Sequence, residues 1–260
     1  MLKKILKYSG WALLAVTAIV GLVLWLAHEK PPSGQPGPRA EVLTSKLEAW
    51  VGDSLWRRHT GAVQWRFGGD KKWLWDRRRD FVALQTGSYR VHLHTPTQRG
   101  LAWKNGVRLT SQPAQKQLDQ AWKAFCNDSY WLFPFSHLRD PGVQRSWVAP
   151  ESSGGLEGLL VTYTQGGVTP GDQYLWRLHE DGKPEFWKMW VEILPIGGVR
   201  VAWQDWYRLG TGVRMAGRRR LGPIEIPLRD VKAADHLKGL TNTDPFDTLD
   251  AYLRRNLLFE

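Results

Sequence analysis

Hydrophobic and polar positions along this chain follow several different periods. Residues 11–27, WALLAVTAIVGLVLWLA, form one uncharged apolar run. Residues 41–58, EVLTSKLEAWVGDSLWRR, place Leu43, Leu47, Trp50, Val51 and Leu55 three or four apart, the spacing of an amphipathic helix. The period then falls to two. AVQWRFG (62–68), KWLWDR (72–77), DFVALQT (80–86) and SYRVHLHT (88–95) are short, β-rich and separated by Gly, Asp or basic turns, so they predict an antiparallel meander. It continues through GLAWKNGVRLT, where Asn105-Gly106 is a hairpin turn. A helical period returns from Gln112 to Phe125, with Leu118, Ala121, Trp122 and Phe125 on one face, Ser111 as a cap and Pro113 in the first turn.

The second half alternates again: GLEGLLVTYT (155–164), QYLWRLHE (173–180), PEFWKMWVEI (184–193), GVRVAWQDWYR (198–208), GVRMAGRRRL (212–221) and IEIPLRDV (224–231). Asp181-Gly182 and Gly197-Gly198 supply turns between them. In EFWKMWVEI one face carries Trp187, Met189, Val191 and Ile193, and the other Phe186, Lys188, Trp190 and Glu192. Tyr174, Trp176 and Leu178, and Val199, Val201 and Trp203, align in the same way. A wide sheet with one apolar face needs a cover, and the chain offers two substantial helices for it.

As a helix, the run 11–27 covers roughly 26 Å, enough for a bilayer core once Ser9 and Gly10 are added. Lys3, Lys4 and Lys7 precede it and Trp11 and Trp25 stand at its ends, which predicts a cytoplasmic N-terminus and interfacial aromatics. A cleaved signal peptide is the competing reading. Its best site follows Ala27, which puts Trp25 where a small residue is needed. No cysteine ends the run, so a lipid-modified Cys is excluded. The expected layout is a single-pass protein of the inner (cytoplasmic) membrane: residues 1–9 cytoplasmic, 10–27 a transmembrane anchor, 28–39 a Pro/Gly-rich tether, and 40–260 one periplasmic domain.

Composition sharpens this layout. The 260 residues include 16 Trp, a residue suited to clefts and to boundaries between apolar and polar surroundings. A formal net charge of +11 favours anionic partners. Nucleic acid is not expected as one, since the anchor places the domain outside the cytoplasm. The runs Arg77-Arg78-Arg79 and Arg218-Arg219-Arg220 read as charged protection of strand ends or as contacts to anionic lipid headgroups. Cys126 is the sole cysteine, so no internal disulfide forms, and its predicted place is a buried helix face. His92 and His94 share a strand face, but nothing in the sequence completes a metal site around them, and they read as exposed strand histidines. Asp76 beside the arginine run predicts an ion pair, and Asp172 a turn. The chain has no Gly-x-Ser-x-Gly elbow, His-Glu-x-x-His, phosphate loop or dinucleotide fingerprint. An enzyme is therefore not expected, and neither is a cofactor or a metal.

Three segments carry a resemblance: WLWDRRRDFVALQTG, FCNDSYWLFPFSHLRDPGV and GVTPGDQYLWRLHEDGKPEFWKMW. Together they resemble a family of bacterial exported proteins of undetermined activity, itself similar to the lipoprotein-carrier fold of LolA and LolB. The likeness covers roughly residues 40 to 235, most specifically Asn127 to Leu132, Asp140-Pro141-Gly142 and Thr169 to Asp172. It implies a mainly β fold with α: a highly curved antiparallel sheet, an incomplete barrel, with helices across its open face; the strand runs above predict about nine to eleven strands. It also implies a lipid or acyl ligand between sheet and lid. No motif matches the buried arginine by which such carriers hold their lid. On that layout Trp122, Phe125, Tyr130, Trp131, Phe133 and Phe135 lie over Trp176, Trp187 and Trp203, either as ordinary core or as a ligand-facing lid, with Arg77, Arg78 and Arg79 as the anionic headgroup contact. A structural subunit using the Trp-rich surface for an envelope protein partner is the alternative.

Overall fold

The structure is a computed structural model that describes residues 2–150, 155–165 and 169–257, apart from the side chains of residues 2–10, 12, 13, 15, 20, 256 and 257. Its first element is a helix, α1 (Leu2–Ala27). Among the described residues no helix is long and apolar enough to cross a membrane. The anchor predicted over 10–27 falls within α1 and lies partly outside the described side chains.

The helix predicted over 41–58 forms as two, α2 (Pro38–Val51) and α3 (Asp53–His59). Gly52 separates them in a left-handed conformation at φ 82°, a backbone state that glycine adopts without steric cost. The meander follows as β1 (Ala62–Phe67), β2 (Lys71–Asp76), β3 (Phe81–Thr86), β4 (Tyr89–His94), β5 (Gly100–Lys104) and β6 (Val107–Arg108). The predicted Asn105-Gly106 turn joins β5 to β6, with both residues at positive φ.

The next helix, α4, runs from Ser111 to Leu132, about two turns past the predicted end. Nothing between Cys126 and Leu132 breaks it, and Leu118, Ala121, Phe125, Asp128 and Leu132 continue a single buried stripe. It stops because Pro134 follows, which pushes Phe133 out of the helical region to φ −150°, ψ 75°. A single 3-10 turn, Pro134–His137, completes the insert. Then come β7 (Val143–Val148), β8 (Glu157–Tyr163), β9 (Gln173–Leu178), β10 (Pro184–Trp190), β11 (Val199–Arg208), β12 (Arg214–Leu221), β13 (Ile224–Glu225), β14 (Leu228–Ala234) and α5 (Asp247–Leu257).

The strands make two antiparallel sheets of seven, ordered β14-β1-β2-β3-β4-β5-β6 and β13-β12-β11-β10-β9-β8-β7. This corrects the expected single curved sheet, and the two sheets are not closed into a barrel. Pro227 supplies the physical reason. Residues 224–231 look like one strand, but proline has no N–H to donate to a ladder. The segment therefore divides: β13 stays on β12, and β14 pairs with β1 of the other sheet. The Pro227 carbonyl accepts the Gly68 N–H at 2.9 Å across the gap.

The main core lies between the sheets and α2, α4 and the Pro134–His137 turn. A second core, unforeseen from the sequence, covers the other face of the first sheet. There Phe246, Leu249 and Leu253 of the C-terminal segment pack on Ala62, Phe81, Leu101 and Trp103.

Candidate functional site

Strands β9, β10 and β11 bring three tryptophans to one point. Trp176 pairs directly with Trp187, and the ring centroids of Trp176, Trp187 and Trp203 are 4.8, 5.0 and 5.2 Å apart. All three are buried. The end of α4 and the turn after it supply the rings above them. Tyr130 stacks on Trp187 at 5.9 Å, and Trp131 meets it edge-on at 5.1 Å. Phe135 sits 5.0 Å from Trp176 and 5.7 Å from Trp203. Six of the nine predicted aromatic residues thus form one cluster. Phe133 joins it through Phe135 and stacks at 4.2 Å on Trp56 of α3, a partner the sequence reading missed. Phe125 instead faces the first sheet, against Trp65, Trp73 and Trp75, and Trp122 packs on Phe125 at 6.2 Å.

The cluster is apolar but not without polar atoms. The indole N–H groups of Trp56, Trp176, Trp187 and Trp203 are buried and have no hydrogen-bond partner. Tyr130 donates to the Tyr163 hydroxyl at 3.2 Å, and burial raises the phenols of Tyr130, Tyr163 and Tyr174 well above their ordinary range. Trp56, Trp176, Trp187, Trp203, Phe133 and Phe135 are buried here, so any guest must displace side chains already there.

Arg219 of β12 corrects the reading of Arg218-Arg219-Arg220 as a charged, outward-facing strand end. It is 1 % exposed, stacks over Trp203 at 4.7 Å and donates to the carbonyls of Ala216 at 2.9 Å and Leu132 at 3.3 Å. Leu132 is the last residue of α4, so a buried guanidinium on the sheet holds the end of the helix above it. Burial pulls Arg219 down to about 9, still charged at neutral pH, and its Nε–H has no partner. The sequence signal was the alternation of β12, which turns Met215 and Arg219 inward while Arg218 and Arg220 point out.

The cluster reaches the surface at an open cleft of about 800 Å³ bounded by α2 and strands β10 to β12. Trp50, Trp203, Trp206 and Tyr207 line it together with Lys183, Arg208, Arg214 and Arg218, against two carboxylates, Glu185 and Asp205. Trp206 connects outside to inside: it stacks on Trp203 at 6.1 Å and lies 6.2 Å from Phe135. Strict alternation would have placed Asp205 beside Trp203. Asp205 instead adopts φ 54°, which shifts the phase of β11 and turns Trp206 to that side. Gly217 opposite accommodates the kink, since a Cβ there would meet the Asp205 carbonyl oxygen at 2.8 Å.

The predicted headgroup arginines are occupied structurally. Arg77 donates to the carbonyls of Trp56 and Thr60 and stacks over Trp56 at 4.4 Å, and burial pulls it down to about 10. Arg78 pairs with Asp235, and Arg79 with Asp76 at 2.7 Å and Asp244 at 2.8 Å. The ion pair expected at Asp76 is therefore present. Asp172 holds its turn by accepting from Thr169 at 2.6 Å and from the Glu192 N–H at 3.1 Å. His92 corrects the reading of exposed strand histidines: it is buried, whereas His94 bonds to Thr97 at 2.9 Å. Among the described residues no group of three or more His, Cys, Asp or Glu is placed to hold a metal ion.

No protein-family model matches the chain, and no curated protein is significantly similar to it.

Proposed function

We propose that this chain is a binding protein of LolA-like design that takes a long-chain amphiphile under the end of α4, and that it is not an enzyme. On this reading α1 anchors it in the inner membrane with the N-terminus cytoplasmic and the domain periplasmic. One observation carries the proposal above all: an aromatic interior runs from Trp176 and Trp187 through Trp203 and Trp206 into an open cleft. The ligand's chain would replace Tyr130, Trp131 and Phe135 against the sheet, and the Arg219 contact to Leu132 would be the latch released as α4 lifts. Lys183 and Arg208 at the cleft would meet an anionic headgroup, with Arg214, held by the Trp50 carbonyl, and Arg218, paired with Asp205, beside them. Burying an acyl chain supplies about 0.8 kcal/mol per CH₂, enough to offset displacement of a few ring contacts.

Titration of a fluorescent long-chain fatty acid into residues 28–260 tests this. Saturable binding is expected, weaker at high salt because exposed charges are screened within about 10 Å at 0.1 M. Trp131→Glu, shown by circular dichroism to be folded, should abolish it. Absence of saturable binding, or binding that survives Trp131→Glu unchanged, rejects a ligand site and leaves the reading of an envelope scaffold with a protein partner.

A further inference from the structure

We infer that the turn between β10 and β11 is a membrane-seating loop that fixes the domain against the lipid surface from which α1 emerges. This rests on the reading of α1 as an anchor. The connection is Val191 to Gly198, VEILPIGG, and from Ile193 onward it carries no charge. Ile193 is 73 % exposed, as exposed as Trp25 near the end of α1. Val191 and Leu194 pack on the main core and Ile196 is half-buried, so Ile193 and Pro195 are the apolar residues the turn offers outward.

What says lipid covers it is its attachment to α1. Four contacts join the two residues after α1 to this hairpin. Gly197 N–H donates to His28 Nδ1 at 3.1 Å, and Glu29 N–H donates to the Gly197 carbonyl at 3.1 Å. Trp190 Nε1–H donates to the Glu29 carbonyl at 2.7 Å, and Lys188 pairs with the Glu29 carboxylate at 2.7 Å. The approach is close: a Cβ on Gly198 would meet the Glu29 Cβ at 2.5 Å. No slack chain separates Ala27, the last residue of α1, from these contacts. The exposed apolar surface of Leu22, Val23, Trp25 and Leu26 therefore leads directly to the loop that contains Ile193. Wherever lipid surrounds the end of α1, it meets the loop as well. The stretch expected as a free tether is itself laid on the domain, with Gln35 exchanging both backbone hydrogen bonds with Trp147 at 2.8 Å. The domain is thus held in one orientation, with the β10–β11 end toward the membrane.

Site-specific fluorescence on the full chain reconstituted in vesicles of phosphatidylcholine and phosphatidylglycerol tests this. In a Cys126→Ser background, an environment-sensitive nitrobenzoxadiazole probe is attached at Leu22→Cys, Ile193→Cys or Val107→Cys, and nitroxide-labelled lipid serves as quencher. Probes at Leu22 and Ile193 should be blue-shifted and quenched several-fold more than the one at Val107, which lies on the exposed β6. Quenching at Leu22 with Ile193 behaving like Val107 overturns the seating loop and leaves the anchor standing. A probe at Leu22 that stays in water overturns the anchor and this inference together. Equal quenching at all three sites, a sign of indiscriminate adsorption, also overturns it.

Discussion

His92 is 5 % exposed on β4, with its ring edge-on to Trp103 at 5.0 Å and Phe246 at 5.5 Å and its Nδ1 without a partner. Burial, helped by the nearby charge of Arg90, lowers its pKa to about 4. The unfolded chain takes up this proton near the ordinary histidine value of about 6.5, and the folded one does not. The neutral ring's contribution is therefore present above pH 6.5 and lost as pH falls from there to about 4, for a total of at most about 3 kcal/mol. Urea midpoints measured at several pH values across that window should show a steeper fall for the wild-type protein than for His92→Gln. Equal slopes would mean that the imidazole is solvated. Such roles are hard to read from sequence, since His92 and His94 alternate identically and only the unforeseen Phe246 cover distinguishes them. Asp128 is similar. It is fully buried and bonds to Trp73 at 2.9 Å and Lys71 at 2.5 Å, tying α4 to β2. The helix predicted to end at Phe125 did not reach it, and its partners on a strand far away in sequence were not visible either.

At the scale of elements, periodicity located most strands of both sheets and the helical insert, because a one-sided pattern survives any tertiary arrangement, but it did not mark β7. Other departures depended on single residues. Pro227 divided one apparent strand between two sheets, Gly52 divided a helix, and Asp205 shifted the phase of β11 to bring Trp206 to the cleft. The C-terminal α5 went unpredicted, although Leu249 and Leu253 on one face, with Asp247 and Asp250 in the first turn and Arg254 and Arg255 in the last, are its signal. The Asp181-Gly182 turn was anticipated, though not its tertiary function. It packs against α2, where Trp50 donates to Asp181 at 3.1 Å and Lys46 to the Glu180 carbonyl at 3.0 Å. Gly182 has φ 88°, and a Cβ on it would meet the backbone of Lys46 at 2.5 Å. Gly182→Ala should therefore lower stability by about 1–3 kcal/mol through backbone strain and displacement of α2. Chemical denaturation with tryptophan fluorescence as the probe checks this, and an unchanged midpoint would show that α2 is not seated on the turn.

For the whole molecule, the two sheets share one interior closed by α2, α4 and the Pro134–His137 turn, and its most aromatic part is also the part that reaches the surface. Among the described residues, the indole N–H groups of Trp56, Trp65, Trp75, Trp176, Trp187 and Trp203 and the Nε–H of Arg219 have no partner in this interior. Buried donors without acceptors weaken a closed state, each by roughly 1–3 kcal/mol. On the proposed reading, such a form would exchange α4 contacts for a guest that fills the same space. The aromatic cover of the sheet was legible in the run 130–135, while the Arg219 contact to Leu132 and the cleft were not, since both arise from strands meeting across the fold. Backbone hydrogen exchange on residues 28–260, with and without saturating oleic acid, tests the central claim most directly. Lifting of α4 predicts that amides from Trp122 to Phe133 exchange faster with the amphiphile bound, while those of β9 to β11 exchange more slowly. Unchanged exchange in both regions at saturating amphiphile would contradict it.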